Sequence, residues 1–242
     1  AKVKADGRKA LITFLTVGDP NMEVSEKAIY TMQEEGVDLI ELGVPFSDPA
    51  ADGPVIQRAD ERALAQGVDI FKVFELVRKI RNNVEVPMVF LLYYNVMVQY
   101  GIEKFFKRCQ ETGVDGLIIP DLPYEESDEI KEYTEKYGVY QISLVSPTSK
   151  DRIKNIAKDA KGFLYCISSL GVTGEKSSFV TNFDEFVGTI KKYTDVPACV
   201  GFGVSNGKQV KELTKYFDGA IVGSAIVKSI ATGESVEERI NN

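Results

Sequence analysis

The 242-residue sequence predicts a single-domain (β/α)8 barrel (a TIM barrel), and three observations predict it. Eight short apolar runs recur along the chain, each followed by apolar residues at helical spacing. The runs are apolar throughout, without polar alternation, as expected of parallel strands covered on both faces. Helix stops lead into strands with a shared pattern: Gly36-Val-Asp-Leu-Ile, Gly113-Val-Asp-Gly-Leu-Ile and Phe217-Asp-Gly-Ala-Ile. Eight such units in a chain of this length imply one closed barrel over residues 1–242. An open doubly wound sheet is the competing arrangement.

The first strand is Ala10 to Thr16, stopped by Gly18-Asp19-Pro20. A helix follows over Met22 to Glu35, with apolar positions at Val24, Ala28, Ile29 and Met32, and Gly36 closes it. Asp38 to Leu42 is the second strand. Helical spacing returns over Val55 to Ala65 and again over Ile70 to Arg81, where Phe71, Phe74, Val77 and Ile80 recur. Val86 to Tyr93 reads as the third strand, with a helix from Gly101 to Thr112. Gly116 to Pro120 is the fourth, followed by Asp121-Leu-Pro123 and a helix through Tyr137. Val139 to Val145 and Gly162 to Ile167 are the fifth and sixth, separated by a helix over Lys150 to Ala160. A long loop runs from Ser168 to Asn182, then a helix from Phe183 to Tyr193. Ala198 to Val200, a helix over Asn206 to Tyr216, and Gly219 to Val222 complete the count.

The stretch Glu41-Leu-Gly-Val-Pro-Phe-Ser-Asp-Pro-Ala-Ala-Asp-Gly-Pro54 leaves the second strand. Its glycines and prolines end regular structure. It still carries an apolar anchor, Phe46, and the carboxylates Asp48 and Asp52, just after Glu41 inside the apolar run. Carboxylates at a strand end and on the following loop fit an acid–base pair; the bland alternative is a surface turn using Asp for turn chemistry. Barrel active sites lie in the loops at the C-terminal ends of the strands, so this loop and the long one at 168–182 are the candidates. Gly171 and Gly174 suit a lid over the second. Glycines in Val200-Gly-Phe-Gly-Val-Ser205 and Val222-Gly-Ser-Ala-Ile226 follow the last two strands, where such barrels commonly seat a phosphate. Gly203 and Gly223 would let backbone N–H groups approach the anion, and Ser224 can begin a helix and add a hydroxyl. Phe202 offers an aromatic wall. Phe14, Leu91 and Tyr93 could line the same pocket, although each residue type is more often plain core.

Composition narrows the chemistry. Net charge is −7, so no general attraction to nucleic acid or anionic membrane is expected. The sequence has no histidine, which excludes His triads, His metal sites and a His base, and leaves proton transfer to Asp, Glu, Tyr, Lys or Cys. Cys109, Cys166 and Cys199 lie far apart and read as buried thiols of a reducing compartment. No leader-like or membrane-length apolar segment is visible, and the expected location is cytoplasmic.

These residues also resemble a known family. Phe14-Leu-Thr-Val-Gly-Asp-Pro20, the Glu41 to Pro54 stretch, Asp121-Leu-Pro-Tyr-Glu-Glu126, Gly171-Val-Thr-Gly174, Gly201-Phe-Gly203 and Gly223-Ser-Ala-Ile-Val227 are similar to motifs of the tryptophan synthase alpha subunit, in the same order. The sequence departs from the family in three places. Most of the helix before the first strand is missing, the last helix is short, and Ser169 stands where many relatives carry Arg. The resemblance implies a lyase that cleaves indole-3-glycerol phosphate to indole and glyceraldehyde 3-phosphate by a retro-aldol reaction. It assigns Glu41 as acid and base, Asp52 as partner of the indole N–H, and Tyr165 as an accessory hydroxyl. It assigns Gly174, Gly203, Gly223 and Ser224 to the phosphate, and Thr173 to the pocket. It implies no cofactor or metal in this chain. The partner is a beta subunit carrying pyridoxal phosphate in a heterotetramer, with Phe46 and Asp48 at the interface. Two other readings stay open: a related sugar-phosphate barrel enzyme, and a phosphate-binding barrel acting mainly as allosteric activator of a partner.

Overall fold

A computed structural model describes residues 2–149, 151–167, 182–201, 203–204 and 206–241. The strands are β1 Ala10–Thr16, β2 Leu39–Gly43, β3 Met88–Leu91, β4 Gly116–Ile118, β5 Tyr140–Gln141, β6 Ser143–Val145, β7 Leu164–Ile167, β8 Ala198–Gly201 and β9 Gly219–Val222. They form one sheet in the order β5-β4-β3-β2-β1-β9-β8-β7-β6, and every pairing is parallel. The two ends of that order are neighbours in sequence. The predicted fifth strand is divided at Ile142: its first piece pairs with β4 and its second with β7, which closes the barrel. Ile142 N–H still bonds the Leu117 carbonyl at 2.8 Å.

Helices lie between the strands, and their ends follow from local chemistry. Asn21 caps Met22–Glu34 by accepting the Val24 N–H, Asp69 caps Ile70–Ile80 through Lys72, and Pro54 opens Pro54–Ala65 at a position that needs no donor. Gly113 and Gly138 end Ile102–Thr112 and Asp128–Tyr137 in the left-handed conformation. Several expectations are corrected. A further helix, Tyr94–Tyr100, fills the space after β3, and Gly101 at φ 90° separates it from the next. The helix expected to follow Pro123 without interruption starts as a 3-10 turn, Tyr124–Glu126. Three others are shorter than their apolar patterns: Ile153–Asp159, Phe183–Lys191 and Gly207–Leu213. Asn206, read as helical, is instead a cap, as is Asn182 at the end of the preceding loop. The terminal helices are Lys2–Ala5 and Val236–Asn241.

The sequence echoes have a structural cause. Asp38, Asp115 and Asp218 each accept a backbone N–H at the start of the preceding strand in the sheet. The donors are Leu11 (2.9 Å), Met88 (2.9 Å) and Ala198 (3.0 Å). The Asp N–H bonds back to the same residue's carbonyl each time. A cation then covers each carboxylate: Arg8, Arg81 or Lys191. Strand starts at a barrel rim would otherwise leave donors unpaired.

Alternation within each strand separates two cores. Outward residues such as Leu15, Ile40, Leu42, Met88, Phe90 and Leu117 pack against the helices with Ile29, Phe74 and Phe105. Inward residues Ile12, Val89, Ile118, Ile142, Phe163, Cys199 and Ile221 fill the barrel with Tyr165. The inward set on β2 is Leu39, Glu41 and Gly43, so the one charged residue of that strand points into the barrel.

Candidate active site

Glu41 is flanked by Phe14 on β1 and Val89 on β3. It is 1% exposed, and neither carboxyl oxygen finds a hydrogen-bond partner among the described residues. Burial alone pushes its pKa up to about 8, because the charged form cannot be solvated there. At neutral pH the side chain is a neutral acid poised to give a proton. Tyr165 enters the same interior from β7, between Leu144 and Cys199. Burial first, then the charges of Glu41 and Asp52, raise its phenol well above the ordinary value. Gly201 makes room for it: a Cβ at that position would lie 2.5 Å from the Tyr165 hydroxyl oxygen.

Asp52 sits on the loop above. The Tyr93 hydroxyl donates to Asp52 Oδ2 at 2.7 Å and accepts the Ala51 N–H at 2.9 Å. Burial raises the Asp52 pKa and the Tyr93 bond opposes that rise. Sequence reasoning gave Tyr93 only a place in the pocket wall; the structure makes it the holder of Asp52. Phe46 stacks on Tyr93, with ring centroids 4.9 Å apart and planes 20° apart. Phe46, expected at the interface with Asp48, therefore lies back against the barrel, half-buried; Asp48 alone of that pair is exposed, and it accepts the Ser47 hydroxyl at 2.5 Å.

The apolar wall is assembled as expected in part. Phe14, Ile56, Ala59 and Val227 cluster with Val55 and Leu91, and Leu91 also touches the inner core. Gly43 and Gly223 border the Phe14 ring: a Cβ on Gly43 would lie 2.5 Å from it. Gly203 follows β8 with φ 77°, and Gly223 precedes the helix Ser224–Ala231, whose Val227 N–H bonds the Gly223 carbonyl. Ser224 is exposed at the start of that helix. Ser169, Thr173, Gly174 and Phe202, and the expected lid from 168 to 181, lie outside the described residues.

Two residues of the helix Pro54–Ala65 were missed. Asp60 is 4% exposed and accepts the Thr16 hydroxyl at 3.4 Å. Arg62 grips Asp19 with two bonds of 2.6 and 2.8 Å. The signal for Asp60 was present: Ile56, Ala59, Asp60 and Ala63 form the buried stripe of the helix, and a carboxylate does not belong in such a stripe without a task. A separate cavity of about 560 Å³ opens at the opposite, N-terminal rim, lined by Ile12, Val89, Phe163 and Cys199. None of the predicted site residues lines it.

A closed barrel with a buried glutamate in its interior, and a second carboxylate held on the β2 loop by a tyrosine, is the arrangement of a barrel enzyme. The comparisons place it among lyases. A profile for the tryptophan synthase alpha chain matches residues 1–242. The chain belongs to the tryptophan synthase alpha chain family, the lyase subunit of tryptophan biosynthesis. It is 49% identical to the alpha chain of a Thermoanaerobacter species over 238 residues, 98% of this chain and 91% of the relative. Identity to the Methanocaldococcus jannaschii alpha chain is 47% over 231 residues, 95% and 82% of the two chains. Among solved structures, the alpha subunit from Campylobacter jejuni superposes with a TM-score of 0.87 at 40% identity, covering 96% of this chain and 93% of that one. Tryptophan synthase from M. tuberculosis gives 0.88 at 33% identity, covering 99% and 92%.

Proposed function

We propose that this chain cleaves indole-3-glycerol phosphate to indole and glyceraldehyde 3-phosphate, with Glu41 as the proton donor and acceptor. The observation that supports it most is Glu41 itself, buried within β2, without a hydrogen-bond partner among the described residues and neutral to about pH 8. The neutral acid protonates the indole ring at C3, giving the indolenine whose side-chain bond can break. The resulting carboxylate takes the proton of the glycerol hydroxyl beside that bond, and the electron pair returns to the ring. Asp52 accepts the indole N–H and balances the positive charge growing on the nitrogen. Tyr165 is an accessory hydroxyl facing Glu41. Gly203, Gly223 and Ser224 hold the phosphate together with Gly174; Thr173 and Phe202 complete the pocket. No cofactor is required in this chain. Incubating the protein with indole-3-glycerol phosphate, alone and with a beta subunit, tests the reading. Stoichiometric release of indole and glyceraldehyde 3-phosphate is expected, and no indole under either condition would overturn it.

The phosphate seat has its own test. Gly203→Val puts a branched side chain where the anion meets the backbone and strains a left-handed φ. Loss of charge-assisted bonds should weaken inorganic phosphate binding roughly ten- to hundredfold, while a dephosphorylated substrate binds mutant and parent equally. Unchanged phosphate affinity would put the anion in another loop.

The partner is the beta subunit, where pyridoxal phosphate supports the joining of indole to serine, in a heterotetramer of two alpha and two beta chains. Exposed Asp48 would pair with a basic group across that interface, and Phe46 would carry the contact through Tyr93 to Asp52. Asp48→Ala should therefore leave cleavage by the free chain intact and reduce its stimulation by saturating beta subunit. Equal stimulation of mutant and parent would exclude the route.

A further inference from the structure

We propose that Asp60 is a positioning residue for the cleavage site: from the helix Pro54–Ala65 it braces the loop carrying Asp52 through Thr16, Phe46 and Tyr93, and its carboxyl acts together with that of Asp52. The inference rests on the reading of Asp52 as the charge facing the indole ring.

The helix Pro54–Ala65 is laced to two loops at once. Arg62 binds the β1 loop through Asp19, and Asp60 meets the Thr16 hydroxyl at the end of β1. The Phe46 amide of the β2 loop also faces the Asp60 carboxyl. Phe46 in turn stacks on Tyr93, which holds Asp52. A shift of Asp60 would thus reach Asp52 by a chain of direct contacts. The groups around Asp60 are mostly acidic or neutral: Asp19 and Thr16 from the β1 side, Asp52 from the β2 loop, Tyr93 from the end of β3, and Arg62 on its own helix. Arg62 is already committed to Asp19 and is half outside the protein. Burial, then the negative charge of Asp52, push the Asp60 pKa up to about 7, while the Phe46 amide and Thr16 oppose the rise. A buried carboxyl and a half-buried one whose charges act on each other do not ionise independently. While Asp60 keeps its proton, Asp52 alone is charged and the loop is held. Once both are charged they repel, and the brace becomes a wedge.

The experiment uses protein labelled with ¹³C at the aspartate carboxyls, compared with Asp60→Asn and Asp52→Asn, together with the pH profile of indole release. The parent should show one aspartate carboxyl titrating near neutrality. That step should vanish in Asp60→Asn and move to lower pH in Asp52→Asn. The alkaline fall of kcat/KM should also move upward in Asp60→Asn, towards the midpoint of Glu41. Asp60→Ala, which removes the acceptor, should speed exchange of the Phe46 amide by roughly tenfold. A near-neutral step that survives Asp60→Asn or ignores Asp52→Asn overturns the proposal, as does an unmoved alkaline limb. If the parent releases no indole, the functional reading fails, and the carboxyl titrations still decide the coupling of Asp60 to Asp52.

Discussion

Glu41→Gln should abolish cleavage while leaving the barrel folded and substrate bound. Positioned acid–base catalysis contributes roughly 10²–10⁴ per proton transfer, and Gln can neither give nor recover the proton. Shape and volume are nearly kept, so binding of indole-3-glycerol phosphate should survive. Turnover within tenfold of the parent would remove Glu41 from the mechanism. The parent should also show the sign of its buried acid. The protonated form is the active one, so kcat/KM falls on the alkaline side, beginning with Asp60 at about pH 7 and completed by Glu41 at about pH 8. Stability follows the same group. Folded Glu41 keeps its proton to about pH 8, whereas an unfolded glutamate loses it near 4.5. Its contribution is complete below the lower value and lost as pH rises to the upper one, a swing on the order of 5 kcal/mol. Glu41→Gln removes that dependence, so its melting temperature should overtake the parent's between these limits. A mutant that melts lower at pH 8 would mean the carboxylate has a partner in the folded protein.

Asp52→Asn should be the next most severe change. Asparagine keeps an oxygen for Tyr93 and for the indole N–H, so the loop and the ground-state complex should persist. What is lost is the negative charge facing the forming cation, and removal of one such electrostatic element costs roughly 10²–10³ in turnover. The loss should fall on kcat rather than on KM. Because burial raises the Asp52 pKa, the parent should lose activity on the acid side earlier than an ordinary aspartate would dictate. Near-normal turnover of Asp52→Asn would return the residue to plain turn chemistry.

The eight units of the barrel were legible because helical spacing and glycine stops alternate with apolar runs over the whole chain. Other features were hidden for physical reasons. A parallel strand covered on both faces shows no alternation, so the inward face of β2 could not be read; only the isolated charge of Glu41 marked it. The break at Ile142 follows from closing the sheet, a long-range event that leaves the run Val139 to Val145 locally uniform. The helix Tyr94–Tyr100 was missed because its residues continue the aromatic and β-branched composition of β3. The rim aspartates were visible as a repeat, yet their bonds to Leu11, Met88 and Ala198 belong to the sheet and not to the local sequence. Within the site, Glu41 and Asp52 stood out as carboxylates beside glycine and proline. The task of Tyr93 depends on a bond to a residue 41 positions away and had no local sign.

The two carboxylates are mounted differently. Glu41 is part of a strand clasped on both sides, whereas Asp52 hangs from a loop by the hydroxyl of Tyr93. In the language of control, one component is hard-wired and the other is the dial. In the proposed mechanism, anything that touches the loop would turn the rate up or down through Asp52 without disturbing Glu41. On that proposal the enzyme would be throttled to match a partner's demand while its chemistry, and therefore its choice of bond, stayed constant at every setting.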